Sequence, residues 1–286
     1  MSTRTDHLWR HFTAAGAPQL VIERGEGCYI WDNEGNRYLD ALSALYCVNI
    51  GYGPWPGITE AAQKQLDQLP FFTNWVGFAT PPALELAEKV TELVPIDVGR
   101  IFFVGGGSEA IETALKVARQ YHRLRGEPTR YKFVTRRSAY HGTTLGALSV
   151  NGSASLRQPF EPLLPGCLRA PTPYEYRCPI KHCDNNCDCT CLEAGFDLFD
   201  QASVGAPAAV VAEPVLSAGG VIVPPPGYFL RLAELCADRG MALILDECQT
   251  GLGRLGAMYG FERYDVVPDY LVLSKTLGAV CRSARS

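Results

Sequence analysis

Five short, continuous apolar runs constrain the fold more than any other feature of this chain. They are "RIFFV" (100–104), "YKFVT" (131–135), "AAVVAEP" (208–214), "ALILDE" (242–247) and "YLVLSK" (270–275). Each reads as a strand buried on both faces. Around them, "PPALELAEKVTELVP" and "SEAIETALKVARQYHRL" carry apolar residues three and four apart, the pattern of amphipathic helices. Such strands alternating with helices imply an α/β fold, a mostly parallel sheet with helices on both faces. Ligands bind such sheets beyond the carboxyl ends of the strands, so the residues just after each run are the candidates for function. Before the first run, "LVIERGEGCYIWDNEGNRYLDALSALYCVNIGYG" alternates apolar and polar residues around glycine turns, which predicts a small antiparallel hairpin. The expected division is an N-terminal segment, 1–55, carrying that hairpin, and a large domain, 56–286, that includes a cysteine-rich loop at 178–191.

Composition narrows the partners. With 286 residues, 47% hydrophobic and 20% charged, the chain can bury a large core. A net charge of −4 provides no basic field to recruit nucleic acid or anionic membrane, so neither is expected as a partner. The opening "MSTRTDHLWRHFTAAG" lacks the apolar centre of a signal peptide, and no stretch is long and apolar enough to span a bilayer. A cytoplasmic location is therefore expected, and the eleven cysteines are read as reduced thiols rather than a disulfide framework.

The strand ends carry the chemistry. "RIFFV" runs into "GGGSEA", where glycines at 105 to 107 let the backbone approach a ligand and a helix start can hold an anion, with the Ser108 hydroxyl beside it. The same stretch also reads as a tight turn with Ser108 as helix N-cap. Gly105, Gly107 and Ala110 fit the dinucleotide fingerprint G-x-G-x-x-A too, but that pattern expects an acid after the next strand, and Arg136 and Arg137 stand there. Tyr140 and His141 follow "YKFVT"; the tyrosine suits stacking on a flat ring and equally suits loop packing. Glu213 follows "AAVVA". Asp246 ends "ALIL" ahead of Gln249, Thr250 and a glycine-rich turn, so it faces either a cationic partner in the cleft or solvent. Lys275 ends the last run. A phosphate seat, a stacking aromatic, a buried carboxylate and a strand-end lysine are together what pyridoxal 5′-phosphate requires. The lysine bonds the aldehyde, and the carboxylate keeps the ring nitrogen protonated.

At this point the sequence resembles the class III (ω-amino-acid) aminotransferases of pyridoxal-phosphate fold type I. The matching stretches are "FVGGGSEAIETALKVAR", "AYHGTTLGALS", "AEPVLSAGGVIVPPPGYF", "LILDECQTGLGRLG" and "PDYLVLSKTLGA", in the family's order. The resemblance implies cofactor phosphate on Gly107 and Ser108, and Tyr140 and His141 at the ring. It places Asp246 on the pyridine nitrogen, Gln249 near the ring hydroxyl, Glu213 in the site, and Lys275 as Schiff-base lysine and proton shuttle. Asp246 and Lys275 are the catalytic pair. The implied reaction moves an amino group from an amine or ω-amino acid to a keto acid such as pyruvate or 2-oxoglutarate. A lyase or decarboxylase on the same fold, and a non-catalytic fragment, remain alternatives. A homodimer is expected from the family.

Two further expectations concern substrate and completeness. Thr143 stands where the ω-carboxylate branch often has arginine, so Tyr46, Trp55 and Trp75 are candidates to line an amine pocket, with Arg136 and Arg137 held open as anchors for an acid. Family members continue past the lysine into a last antiparallel strand and a C-terminal domain, whereas this chain departs at "GAVCRSARS". The expectation is a truncated large domain that binds the cofactor weakly or not at all. Finally, Cys178, Cys183, Cys187, Cys189 and Cys191 crowd one loop with His182. Zinc and plain reduced thiols are both compatible with that spacing, and no metal ligand is assigned.

Overall fold

The computed structural model describes residues 7, 8, 10–14, 16–178, 180, 183 and 186–278. His182 and the tail from Ala279 onward lie outside the described residues. Near the N-terminus, β1 (Ile22–Glu26), β2 (Tyr29–Asp32) and β3 (Arg37–Leu39) form an antiparallel sheet, one strand more than a hairpin. Asp32 closes the β2–β3 turn by accepting the backbone N–H of Glu34 and of Asn36 at 3.0 and 2.9 Å. A single turn, α1 (Ser43–Tyr46), then leads to α2 (Pro56–Gln68) and α3 (Pro81–Leu93). Both of the longer helices start on proline, whose fixed φ and missing N–H suit a first turn.

The main unit contains α4 (Gly107–Leu124), β4 (Phe133–Arg136), α5 (Leu145–Ser149), α6 (Ala154–Arg157) and β5 (Cys167–Ala170). It continues through α7 (Thr190–Ala202), β6 (Ala209–Ala212), α8 (Tyr228–Asp238), β7 (Ala242–Asp246) and β8 (Tyr270–Val272). Five parallel strands pair in the order β5-β4-β6-β7-β8, with Val210 opposite Leu243 and Asp246 opposite Val272.

Alternation along each strand builds two cores. Val134, Val210, Ala212, Leu243 and Leu245 pack under Leu192 and Phe196 of α7 and Tyr228, Phe229 and Leu232 of α8. Their neighbours Phe133, Ala209, Val211, Ala242, Ile244 and Val272 pack under Ile111, Ala114, Leu115 and Ala118 of α4. A strand buried on both sides needs apolar residues at every position, which is why these runs show no polar alternation.

Two expectations change. "RIFFV" is not a strand: residues 101–104 have no ladder partner among the described residues, and Phe102 is 73% exposed. Apolar sequence alone cannot make a strand, because ladder bonds need a neighbouring backbone. In its place β5 extends the sheet, pairing with β4 from Phe133 opposite Cys167 to Arg136 opposite Ala170. Its Arg169, which argues against a buried strand, turns back to donate to the carbonyls of Ser149, Asn151 and Cys167.

Candidate active site

The carboxyl ends of β4, β6 and β7 bring Tyr140, His141, Glu213 and Asp246 together, and the start of α4 meets the residues after β7 and β8 at Gly107. Asp246 is 4% exposed, which excludes the solvated-turn alternative. Its Oδ2 accepts the Nδ1 proton of His141 at 2.8 Å, and its Oδ1 accepts the Cys248 backbone N–H at 3.0 Å. Burial pushes the Asp246 pKa up, but the hydrogen bond and charge of His141 with the Cys248 donors outweigh it, and the net shift is downward. Asp246 is therefore a carboxylate held ionised inside the protein.

His141 is fixed on three sides. Its other ring nitrogen meets the Thr135 hydroxyl at 3.2 Å, and its backbone N–H donates to Asn151 Oδ1 at 2.6 Å. Asn151 in turn donates to the Gly142 carbonyl at 2.9 Å. The residues after β4 and the end of β7 are thus one rigid unit.

Glu213 lies next to this pair, and its Oε1 accepts the Tyr140 backbone N–H at 3.2 Å. Burial raises its pKa to about 7 against the opposing pull of His141 and Arg136. Burial, then the Asp246 charge, also raises the Tyr140 phenol. Arg136, held open as an anchor for an acid, is only 1% exposed, donates to the Glu213 carbonyl and lies 5.7 Å from the Phe229 ring centroid. It is part of the core and does not face a substrate.

The start of α4 closes against the same residues. A side chain at Gly107 would meet Ser274 Oγ at 3.2 Å and Cys248 Sγ at 3.3 Å, so this close approach favours glycine. Ser108 does not cap the helix, whose N-cap is Gly106; its hydroxyl instead accepts the Thr143 backbone N–H at 3.0 Å. Lys275 follows Ser274, half-buried and with a φ of 43°, in a region that non-glycine residues rarely occupy. Burial drives the Cys248 thiol pKa well up, Asp246 adds to it and the Lys275 charge opposes it. Asp246 ends β7, and Lys275 lies three residues past the end of the neighbouring β8, at the start of the turn Lys275–Gly278.

The N-terminal segment reaches these loops. Thr276 donates to the Tyr46 carbonyl at 3.3 Å, Asn49 donates to the Leu252 carbonyl at 3.0 Å, and Arg254 bonds Asn49 Oδ1. Tyr46 is thus close to Lys275, whereas Trp55 and Trp75 are 37% and 74% exposed. A cavity of about 1360 Å³ between β8 and residues 96–106 extends to Gly105, Gly106, Ser274 and Lys275.

Sequence reasoning named Asp246 and His141 separately and missed that they bond each other; it also missed Thr135, Asn151 and Ser274. A polar residue inside an apolar strand, as at Thr135, was the available signal. Gln249 Oε1 and Glu213 Oε2 are among the buried side-chain atoms of the described residues that have no hydrogen-bond partner. Unpartnered buried acceptors, one three residues from the ionised Asp246 and one on the Glu213 that holds the Tyr140 backbone, fit a small polar aromatic aldehyde with donors of its own.

Comparison with known proteins follows the same lines. The family model described as Aminotransferase class-III matches residues 12–281. A "Probable aminotransferase" of Mycobacterium tuberculosis is 43% identical over 96% of this chain and 59% of its own. The putrescine–pyruvate aminotransferase of Pseudomonas aeruginosa is 36% identical over 90% of this chain and 56% of its own. An amine transaminase from an uncultivated Pseudomonas species, solved with pyridoxal phosphate bound, superposes with a TM-score of 0.91 at 38% identity, covering 98% of this chain and 64% of that one. The chain thus spans less than two thirds of the length of each.

Proposed function

The chain belongs to the class III aminotransferase family, and on that premise we propose that it holds pyridoxal 5′-phosphate and transfers an amino group from an amine or ω-amino acid to a keto acid. Bound there, the cofactor would supply an electron sink for the bonds of the donor carbon. Gly107 and Ser108, at the start of an 18-residue helix, are the phosphate seat, where free backbone N–H groups and the helix dipole favour an anion. Tyr140 covers the ring face and Gln249 faces its hydroxyl. Asp246, kept ionised and aimed by His141, holds the proton on the pyridine nitrogen. Glu213 fixes the Tyr140 backbone and, with a pKa raised to about 7, lies beside Asp246 without adding a full second negative charge. Lys275 Nζ anchors the aldehyde at rest and moves the substrate proton during turnover.

The ionised, buried Asp246 locked to His141 carries this reading. An isolated interior carboxylate is costly, and one that closes β7, whose neighbour β8 leads into Lys275, has a use for its charge. The donor is proposed to be a terminal amine and the acceptor pyruvate or 2-oxoglutarate, the first acceptor being the one named for the Pseudomonas aeruginosa relative. A cytoplasmic homodimer is proposed as the working form. The test is a titration with pyridoxal phosphate read by visible absorbance. A band should grow in the native chain and be absent in Lys275→Ala, then bleach with an amine donor and return with the keto acid. No band at millimolar cofactor, or an equal band in Lys275→Ala, overturns the assignment.

A further inference from the structure

Asn151 is not among the residues that the sequence singled out, yet it is 0% exposed and bonds the segment that carries Tyr140 and His141. Its Oδ1 accepts the His141 backbone N–H at 2.6 Å, and its Nδ2 donates to the Gly142 carbonyl at 2.9 Å. Residues 137–144 belong to no helix or strand, so these two backbone groups have no ladder to satisfy them. One side-chain amide, with an acceptor and a donor side by side, does so instead. The amide is itself held in place. The Asn151 N–H donates to the Leu148 carbonyl of α5 at 3.0 Å, and the Asn151 carbonyl accepts Arg169 Nε of β5 at 3.1 Å. The next N–H, that of Gly152, donates to the Ala139 carbonyl at 2.8 Å.

The clamped segment joins two ends of the site. At one end the His141 ring donates to Asp246 at 2.8 Å. At the other the Thr143 N–H donates to the Ser108 hydroxyl at 3.0 Å, and Gly142, with a φ of 137°, stands where a side chain would run into Ser108. His141, Gly142 and Thr143 are consecutive, so a shift of this stretch moves the Asp246 contact and the Ser108 contact together. Without the Asn151 amide the His141 N–H and the Gly142 C=O lose their partners, a loss that only movement of the loop toward other partners would recover.

We infer that Asn151 is a positioning residue for the cofactor site. By holding His141 and Gly142, it keeps the imidazole on Asp246 and the Thr143 N–H on Ser108, so that the seat for the pyridine nitrogen and the seat for the phosphate stay in register. The roles of Asp246 and Ser108 in this inference rest on the function proposed above; the clamp on His141 does not.

The first measurement is made on the full chain without cofactor. The His141 Nδ1 proton, held on Asp246, should give a downfield proton NMR resonance that exchanges slowly with water, identified by its loss in His141→Gln. Asn151→Ala should speed that exchange about tenfold or more, since the ring is no longer fixed by its backbone. Leu232→Ala, a core substitution in α8 that lowers the urea midpoint, should leave it within about twofold, which separates positioning from general destabilisation. Asn151→Asp decides the matter if Asn151→Ala fails to fold. Its carboxyl keeps the acceptor for the His141 N–H and, when protonated, also donates to the Gly142 carbonyl, whereas the ionised form sets an oxygen against that carbonyl. Relative to the native chain at each pH, exchange in Asn151→Asp should be native-like at pH 5 and faster at pH 8. The titrations of His141, Glu213 and Asp246 are common to both chains and cancel in that ratio. The second measurement adds pyridoxal phosphate, whose affinity read by visible absorbance should fall about tenfold in Asn151→Ala, because a small displacement of site groups is enough for such a loss. If the native chain binds no cofactor, the proposed function fails, and the exchange rates still decide whether Asn151 holds His141 on Asp246. Exchange in Asn151→Ala within twofold of native, or Asn151→Asp matching the native chain at pH 8, overturns the inference. Faster exchange with unchanged cofactor affinity overturns it as well, because the clamp would then serve stability alone.

Discussion

At the scale of single residues, the two buried acids Glu213 and Asp246 are shifted in opposite senses. Glu213 has a folded pKa of about 7 against an ordinary value of 4.5, so the folded chain holds a proton that the unfolded chain releases. Its burial costs no stability below pH 4.5. The cost grows as pH rises from 4.5 to about 7, reaching about 3 kcal/mol, and stays constant above. Glu213→Gln, which keeps an acceptor for the Tyr140 N–H, should raise the urea midpoint at pH 8 and match the native chain at pH 4; equal midpoints at pH 8 would contradict the assignment. Asp246 has a lowered pKa, so its stabilising share is present above its ordinary value of 3.8 and is lost as pH falls through the folded value. Asp246→Ala strands the His141 Nδ1 proton, and an unsatisfied buried donor costs about 1–3 kcal/mol. Denaturant unfolding at pH 7 should show that loss, with Asp246→Asn losing less because it retains an acceptor. Asp246 was legible in the sequence because a carboxylate closing an apolar strand needs a partner. The partner was not, because His141 is 105 residues away.

At the scale of elements, the strands carry weight on both faces. Leu243 and Ile244 are adjacent in β7 but serve opposite cores, at 2% and 0% exposure. Leu243→Ala and Ile244→Ala should therefore each destabilise by about 2–5 kcal/mol in urea unfolding, with neither face spared. Phe102, in the unpaired 101–104 segment, should behave differently: Phe102→Ser should change stability by no more than about 0.5 kcal/mol while reducing fluorescence of a bound apolar dye. A loss comparable to Ile244→Ala would mean that this segment is packed as a strand in solution. The contrast explains which elements were readable. Runs such as 208–214 and 242–247 announced strands because both of their faces are covered. The run at 100–104 has the same composition without a ladder partner, and β5 was obscured by Arg169.

At the scale of the whole molecule, apolar surface is concentrated away from the parallel sheet. Helix α2 has no buried residue, and in the segment that follows it Phe71, Trp75 and Val76 are 78%, 74% and 79% exposed. Patches of this kind on a folded chain mark association surfaces. Light scattering on the size-exclusion peak should give twice the 31.2 kDa of one chain, and Trp75→Glu should shift the peak toward that single mass. A monomer at micromolar native protein would contradict the proposed homodimer. The sequence by itself determined the parallel α/β class, the helices at 81–93 and 107–124 and the identity of the charged residues at the strand ends, because burial on two faces and helical periodicity are written in local order. Only the tertiary structure decided that His141 holds Asp246, that Arg136 belongs to the core and that 100–104 stands unpaired among the described residues. Each of those depends on which distant backbones come to lie side by side, and local periodicity does not encode that.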